Sequence, residues 1–249
     1  MIEKRFVTIS IVSHDNGEIL SLLLRDLCLF NEVDKVIITS NIPERSPIDI
    51  PDELKNRIFM INNKIPAGFG TNHNNAFKYS LTPYFCVLNP DIRIMSNPFQ
   101  TLMGAVDDNN AALAAPFVFN PNGDLEDSFR KWVTPLSLIK RYFRIDSGGY
   151  ERPKSIFEPD WIAGMFLLFT KKAYLDINGF DESYFLYCED MDICLRLKLS
   201  NHNLIIVPSA AVQHYARRSS RKKIQYMLMH VKSLIRFWRN FLRYRQAFH

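Results

Sequence analysis

Three places in this chain carry side chains whose types and spacing could do chemistry. The densest is Glu189-Asp190-Met191-Asp192, three carboxylates in four positions directly after the aromatic run Tyr184-Phe185-Leu186-Tyr187. Like charges crowded beside aromatic rings hold at least one proton more tightly than an isolated carboxylate does, which suits a general base. The same acids open a helical pattern, Ile193-Cys194-Leu195-Arg196-Leu197, where first-turn carboxylates also answer the helix dipole. The second place is Asn89-Pro90-Asp91, which ends the apolar run Tyr84–Leu88. Proline stops a sheet ladder and leaves Asp91 at the strand mouth, where a carboxylate can hold a divalent ion against phosphate oxygens. Taken alone, the tripeptide is equally an Asx-Pro turn. The third is His214, followed at short range by Arg217 and Arg218, a pair suited to gripping a diphosphate. A lone histidine is also commonly no more than a packed side chain.

The elements that must position these groups follow from periodicity. Phe6–Ser13 alternates and is rich in β-branched residues, so it is expected to be a strand; His14-Asp15-Asn16-Gly17 is a turn. Ile19, Leu20, Leu23, Leu24 and Leu27 then recur at helical spacing. Further strands are expected at 36–39, 58–61 and 84–88, with a proline-bearing loop over 41–51 and a second helix after Ala67-Gly68-Phe69-Gly70-Thr71. Strand, helix, strand, strand, helix, strand implies a parallel sheet wrapped by helices, with ligands at the carboxyl ends of the strands. Beyond residue 91 the sequence predicts strands at 111–119, 161–169 and 204–207 and helices at 171–177 and 189–199. Between them, 121–124 is a turn and 130–158 a mixed basic stretch.

Composition narrows the classes. Of the 249 residues 47% are hydrophobic, too many for a disordered chain. The longest apolar run, Trp161–Phe169, is too short to cross a bilayer, and no signal-type stretch opens the chain, so a cytosolic protein is expected. The four cysteines show no C-x-x-C spacing and are read as buried thiols. All 26 acidic residues lie in 1–192, beside 19 Lys and Arg, while 193–249 carries 12 basic residues and no acid. An acidic body with a cationic tail suits a polyanion partner: nucleic acid, anionic lipid or diphosphate.

Taken in order, these segments resemble a known family. Thr8–His14; Gly68-Phe69-Gly70 with Asn72, Asn74 and Asn75; Leu88-Asn89-Pro90-Asp91; Trp161-Ile162-Ala163-Gly164; Asn178-Gly179-Phe180-Asp181-Glu182; Tyr187–Arg196; and Val207-Pro208 through His214 are similar to the family 2 inverting glycosyltransferases. Within these, the chain most resembles bacterial rhamnosyltransferases of O-antigen and capsule synthesis. The resemblance runs from about residue 6 to 225.

It implies a GT-A fold, a Rossmann-like and mostly parallel α/β sheet flanked by helices, over residues 1–215. Residues 1–91 would form a nucleotide-binding half and 92–215 an acceptor half, followed by a basic helical tail over 216–249. It implies a Mg or Mn ion held by Asp91 and His214, with Asp190 as base and Glu189 beside it. Ser13, His14, Asn41, Gly68, Phe69, Asn72, Asn89, Asp91, Arg217 and Arg218 would meet the donor nucleotide, and Trp161 and Gly164 would line the acceptor side. The implied donor is dTDP-rhamnose, with UDP-linked galactose, galactofuranose, GlcNAc or GalNAc as alternatives. The acceptor would be a polyprenyl-diphosphate-linked oligosaccharide. One departure is clear. Where many members carry an acid after the second strand to contact the base, this chain has Ile38-Thr39-Ser40-Asn41, so Ser40 or Asn41 would substitute.

From Arg221 onward, Ile224, Leu228, Val231, Ile235, Trp238 and Leu242 fall on one helical stripe, with Lys222, Lys232, Arg236, Arg239 and Arg243 on the remaining surface. This is either a helix packed on the core or an interfacial helix on the anionic inner leaflet of the plasma membrane. In the latter, Phe237, Trp238 and Phe241 would dip into the headgroups. A basic tail also fits a nucleic-acid-binding or other non-enzymatic polyanion-binding protein. The acidic body, and the absence of a helix-turn-helix, zinc or RNA-recognition signature, argue against nucleic acid. A nucleotidyltransferase would show a glycine-rich phosphate loop where this chain has His14-Asp15-Asn16-Gly17. A non-catalytic relative of the glycosyltransferases is the remaining alternative.

Overall fold

The structure is a computed structural model and describes residues 6–135, 150, 152–215 and 224–247. It opens with β1 (Val7–His14), α1 (Gly17–Leu27), β2 (Val33–Ile42), the single turn α2 (Asp52–Lys55), β3 (Ile58–Asn62), α3 (Phe69–Phe77) and β4 (Tyr84–Leu88). There follow β5 (Ile92–Arg93), α4 (Phe99–Asp108), β6 (Ala111–Phe119), β7 (Phe129–Arg130), β8 (Trp161–Ile162) and β9 (Phe166–Thr170). The chain closes with α5 (Lys171–Asp176), α6 (Glu189–Leu199), β10 (Asn203–His214) and α7 (Ile224–Ala247).

Eight strands form one sheet in the order β3-β2-β1-β4-β9-β6-β10-β5, and β7 and β8 form a separate pair. β1 to β4 are mutually parallel, as the helical crossovers between them require, and β6 is parallel to β10. β9 is inserted antiparallel between β4 and β6, and β5 runs antiparallel on β10. The inner strands are buried on both faces and so are almost wholly apolar: Val7, Ile9 and Ile11, Phe85–Leu88, and Phe166–Phe169. One face is covered by α1 and α4, through Leu20, Leu23, Leu24, Leu27, Phe99 and Leu102. The other is covered through Ala76, Tyr174, Ile193, Leu197 and Phe237 of α3, α5, α6 and α7. Each large apolar side chain so buried contributes about 1.5–3 kcal/mol.

Two departures from the sequence expectation shape the site. The run Trp161–Phe169 is two strands: Trp161–Ile162 pairs with β7 and Phe166–Thr170 enters the main sheet, with the break at Gly164. The last strand continues past Val207 to His214, because a bulge between Val207 and Ala211 absorbs Pro208 and the ladder to β6 resumes at Ala211↔Phe117.

The tail expectation needs correcting. Phe237 is 1% exposed, and Trp238 and Phe241 pack on the same core cluster instead of pointing away from the body. The Trp238 indole N–H donates to Val133 O at 2.7 Å, and Phe237 stacks 6.0 Å from Trp132. The other stripe residues, Ile224, Leu228, Val231, Ile235 and Leu242, are exposed together with Met227. α7 thus has an inner aromatic face and an outer aliphatic one, and Lys232, Arg239 and Arg243 are exposed on it as well. Lys222 lies outside the described residues. No helix among the described residues is long and apolar enough to cross a membrane.

Candidate active site

Asp91 follows the carboxyl end of β4 in a short reversal into β5. β10 pairs with β5 at His214↔Ile92, and Tyr215 N–H donates to Asp91 O at 2.8 Å, so the extended last strand delivers His214 to Asp91. His214 Nε2 lies 3.3 Å from Asp91 Oδ1, and His214 Nδ1 lies 2.8 Å from Glu126 Oε2. Burial on its own would lower the imidazole pKa, but Asp91 and Glu126 outweigh that and raise it. Apart from the His214 ring 3.3 Å away, the buried Asp91 Oδ1 has no hydrogen-bond partner. A buried carboxylate oxygen and an imidazole nitrogen facing each other are the donor set a small divalent cation takes, so the residues fit the ion that the family resemblance implies. Among the described residues no group of three or more His, Cys, Asp or Glu is placed to hold a metal, so such an ion would draw its other ligands from substrate oxygens and water. Glu126 was not anticipated. It lies in the connection after β6, with no local motif to flag it, and only the bulge in β10 brings His214 against it.

The three carboxylates of α6 have separate surroundings. Asp192 is fully buried and paired with Arg196 at 2.7 Å; the same guanidinium donates to Ile177 O and Gly179 O, so this acid is structural. Asp190 accepts Gly164 N–H on Oδ2 at 3.1 Å and Met191 N–H on Oδ1 at 2.8 Å. Glu189 is 6% exposed, and its Oε2 has no partner. Burial, then the Asp190 charge, pushes Glu189 up to about 8; burial also raises Asp190, opposed by its backbone donors and by Arg130. The pair therefore shares one proton near neutral pH. The charge is best placed on Asp190, which has two donors, and the proton on Glu189, which has an orphan oxygen.

The β8–β9 turn ties the two carboxylate centres together. Gly164 donates to Asp190, and the next residue, Met165, accepts Asn89 N–H at 3.0 Å. Bonded contacts therefore run from Asp190 to the Asn89-Pro90-Asp91 reversal across the carboxyl end of β4. Space at Gly164 is tight: a Cβ would lie 3.3 Å from the Phe69 ring and 3.7 Å from Asp190 Cβ.

The remaining expected residues fall into two groups. His14 is exposed at the end of β1, and its Nδ1 lies 3.5 Å from Asn41 Nδ2. Ser13, Asn41 and Asn72 are buried and committed to protein partners. Ser13 Oγ accepts Asn16 N–H, Asn41 Oδ1 accepts from Asn63 Nδ2 and Ala67 N–H, and Asn72 Oδ1 accepts from Asn63 Nδ2. They build the walls of the β1 and β2 ends. What crowds Gly68 is protein: a Cβ there would sit 2.9 Å from Tyr184 O and 3.0 Å from Phe185. Phe69 packs edge-on to His73 at 4.4 Å. Trp161 is buried, its indole donates to Lys131 O, and the Arg130 guanidinium covers its ring at 5.5 Å. Arg217 and Arg218 lie outside the described residues.

A mostly parallel sheet flanked by helices, with acidic and imidazole groups gathered at strand ends, is an α/β fold with a candidate active site, and the comparisons give it a family. The chain belongs to the family described as Glycosyl transferase family 2, which matches residues 8–172; the N-terminal domain of galactosyltransferase matches residues 151–230. It is similar to rhamnosyltransferase WbbL of Escherichia coli (strain K12), 31% identical over 98% of this chain and 99% of that one. It is also similar to the N-acetylglucosaminyl-diphospho-decaprenol L-rhamnosyltransferase of Mycobacterium tuberculosis. Here the identity is 26%, over 69% of this chain and 60% of that one. Among solved structures, GalNAc-T7 with UDP, GalNAc and Mn2+ has a TM-score of 0.64 at 13% identity, covering 86% of this chain and 44% of that one. Staphylococcus aureus TarS scores 0.60 at 14% identity, covering 85% and 37%. The GT-A fold expected from the sequence is therefore the fold observed.

Proposed function

We propose that this glycosyltransferase inverts configuration while moving L-rhamnose from dTDP-rhamnose onto a polyprenyl-diphosphate-linked oligosaccharide in cell-surface polysaccharide synthesis. The observation that carries this reading is the bonded path from Asp190 through Gly164 and Met165 to Asn89, beside Asp91, which would join the base to the pair that holds the cation. The full-length similarity to WbbL supports the sugar. The M. tuberculosis relative, by its name, acts on a diphospho-decaprenol acceptor. Asp91 and His214 would hold Mg or Mn, whose chemistry is to neutralise charge on a leaving diphosphate. Asp190, held by Gly164 N–H, would accept the acceptor hydroxyl proton as that oxygen attacks the anomeric carbon from the face opposite the diphosphate. The new C–O bond forms as the bond to the diphosphate breaks, and configuration inverts.

The exposed aliphatic face of α7, with Lys232, Arg239 and Arg243 beside it, supports peripheral attachment to the anionic inner leaflet, where a polyprenyl-linked acceptor resides. In this reading 1–215 is the catalytic body and 216–249 the tail that brings it to the lipid. The test is a thermal-shift panel of dTDP- and UDP-linked sugars with and without Mn or Mg, followed by nucleoside diphosphate release with acceptor. The right donor raises Tm by mass action. Asp190→Asn is expected to lose transfer by at least about a hundredfold while still binding donor, and Asp91→Ala to lose the metal-dependent part of donor binding. Stabilisation by a UDP-sugar in place of dTDP-rhamnose would reassign the donor. Full turnover in Asp190→Asn would remove the base.

A further inference from the structure

The inward face of α7 is bonded to the segment that leads into the base. Ser233 Oγ donates to Leu186 O at 2.8 Å, and the Tyr187 ring tilts against His230 with centroids 4.9 Å apart. Asn240 Nδ2 donates to the Tyr184 hydroxyl at 3.3 Å, and the Arg236 guanidinium lies 5.8 Å from the centre of the same ring. The Tyr184 hydroxyl in turn donates to Asp192 at 3.4 Å.

That segment needs an external hold. Tyr187 and Cys188 both have left-handed backbones, at φ 69° and 64°, and neither is a glycine. Two consecutive residues with a Cβ keep that conformation only where their surroundings impose it. Glu189 and Asp190 follow immediately, so the direction in which the base leaves the turn is set by this pair. From the other side, Phe69 N–H donates to Phe185 O at 3.0 Å. Residues 184–188 are therefore gripped between the Gly68-Phe69 turn and α7.

We propose that Ser233, supported by Asn240, is a positioning residue for the catalytic base. Through Leu186 and Tyr184, α7 fixes the left-handed pair Tyr187–Cys188 and with it the placement of Asp190 against Gly164. The inference rests on Asp190 being the base. Its consequence is that a helix with an outer face suited to lipid is, on its inner face, part of the catalytic centre.

The test uses the full chain in detergent micelles, so that loss of bilayer contact plays no part. The substrates are dTDP-rhamnose and a short-chain polyprenyl-diphosphate-linked N-acetylglucosamine. Ser233→Ala deletes one hydroxyl and is expected to leave the fold, the donor KM and Mn-dTDP affinity unchanged. kcat is expected to fall on the order of ten- to a hundredfold, as misplacement of a reacting group by about an ångström does. Amide exchange over 186–190 accelerates, and Ser233→Thr, which keeps the hydroxyl, restores both. Asn240→Leu gives a second, independent loosening with the same kcat-against-KM split. Wild-type kcat in Ser233→Ala overturns the proposal, as does unchanged exchange over 186–190. Asp190→Asn in the same assay separates the two ideas. Turnover there defeats the base assignment itself, whereas an inactive Asp190→Asn beside a fully active Ser233→Ala defeats only the positioning role.

Discussion

Glu189 offers a measurement that does not depend on knowing the substrate. Its carboxyl is buried beside Asp190, its Oε2 lacks a partner, and burial followed by the neighbouring charge carries it from 4.5 to about 8. In the unfolded chain the proton leaves near 4.5; in the fold it stays until about 8. Between those values the folded state binds more protons than the unfolded one, so stability present below the lower value is lost as pH rises through the upper one. Each pH unit in that window costs about 1.4 kcal/mol, and sharing of the proton with Asp190 leaves a total of a few kcal/mol. For a chain of this length that is on the order of 10 °C in Tm. Glu189→Gln keeps the shape of the protonated acid and removes the titration. The variant is expected to match the parent near pH 5, to exceed it by about 2–3 kcal/mol near pH 8.5, and to show a flattened alkaline limb. Thermal melts at half-unit steps from pH 5 to 9, in buffers that do not bind metal, measure this directly. Parallel profiles for parent and variant would show that Glu189 ionises in the fold as it does in water. The assignment of the shared proton would then fail.

Other perturbations read different parts of the molecule. His73 is fully buried, and burial pushes it from 6.5 down to about 3, so the unfolded chain binds the extra proton between those values and stability is lost as pH falls through them. His73→Asn should flatten the acid limb of the same melts, and an unchanged limb would assign that loss to other groups. Glu126→Ala should weaken Mn binding in the presence of dTDP roughly ten- to a hundredfold by releasing the His214 ring, with Glu126→Gln much milder; calorimetric titration decides it. Arg196→Met leaves Asp192 buried and unpaired and should cost about 3–5 kcal/mol in urea unfolding; a loss below about 1 kcal/mol would mean the pair is not what anchors α6. Leu228→Glu with Ile235→Glu on the outer face of α7 should abolish co-flotation with phosphatidylglycerol vesicles without altering donor binding. Undiminished flotation would place membrane contact elsewhere.

The parallel half of the sheet was legible because buried parallel strands are nearly unbroken apolar runs, as Tyr84–Leu88 is, and α1 carries its leucines at helical spacing. The bounds of α6 were legible as well, from first-turn acids followed by an apolar pattern. What could not be read was anything decided by distant partners. Trp161–Phe169 reads as one apolar run, and its split is decided by distant partners: β7 pairs with Trp161–Ile162 and β4 with Phe166–Thr170. Pro208 marks an end to a strand in the sequence, yet β6 on one side and β5 on the other carry β10 past it to His214. The aromatic residues of α7 are equally suited to a membrane and to a protein groove. Trp132 and Val133, a hundred residues away in the chain, supply the groove.

The antiparallel placement of β9 explains how two far-apart carboxylates come to share one end of the sheet. In an all-parallel sheet the strand beside β4 would end where β4 ends, and its approach would lie at the opposite end of the strands. Because β9 runs the other way, with Leu88 opposite Phe166, its start meets the end of β4. The turn at Gly164-Met165 is thereby stacked on Asn89 and can present a backbone N–H to Asp190 while Asp91 faces His214. The three acids of α6 then divide by neighbour and not by type. Asp192 meets Arg196 and anchors the helix, Glu189 keeps one buried oxygen without a partner and is raised by burial and by Asp190, and Asp190 accepts two N–H groups. The direction in which Asp190 leaves the turn is set by the left-handed pair Tyr187–Cys188 that precedes it. The inner face of α7 thus holds the segment that leads into Asp190, while its outer face carries exposed aliphatic side chains.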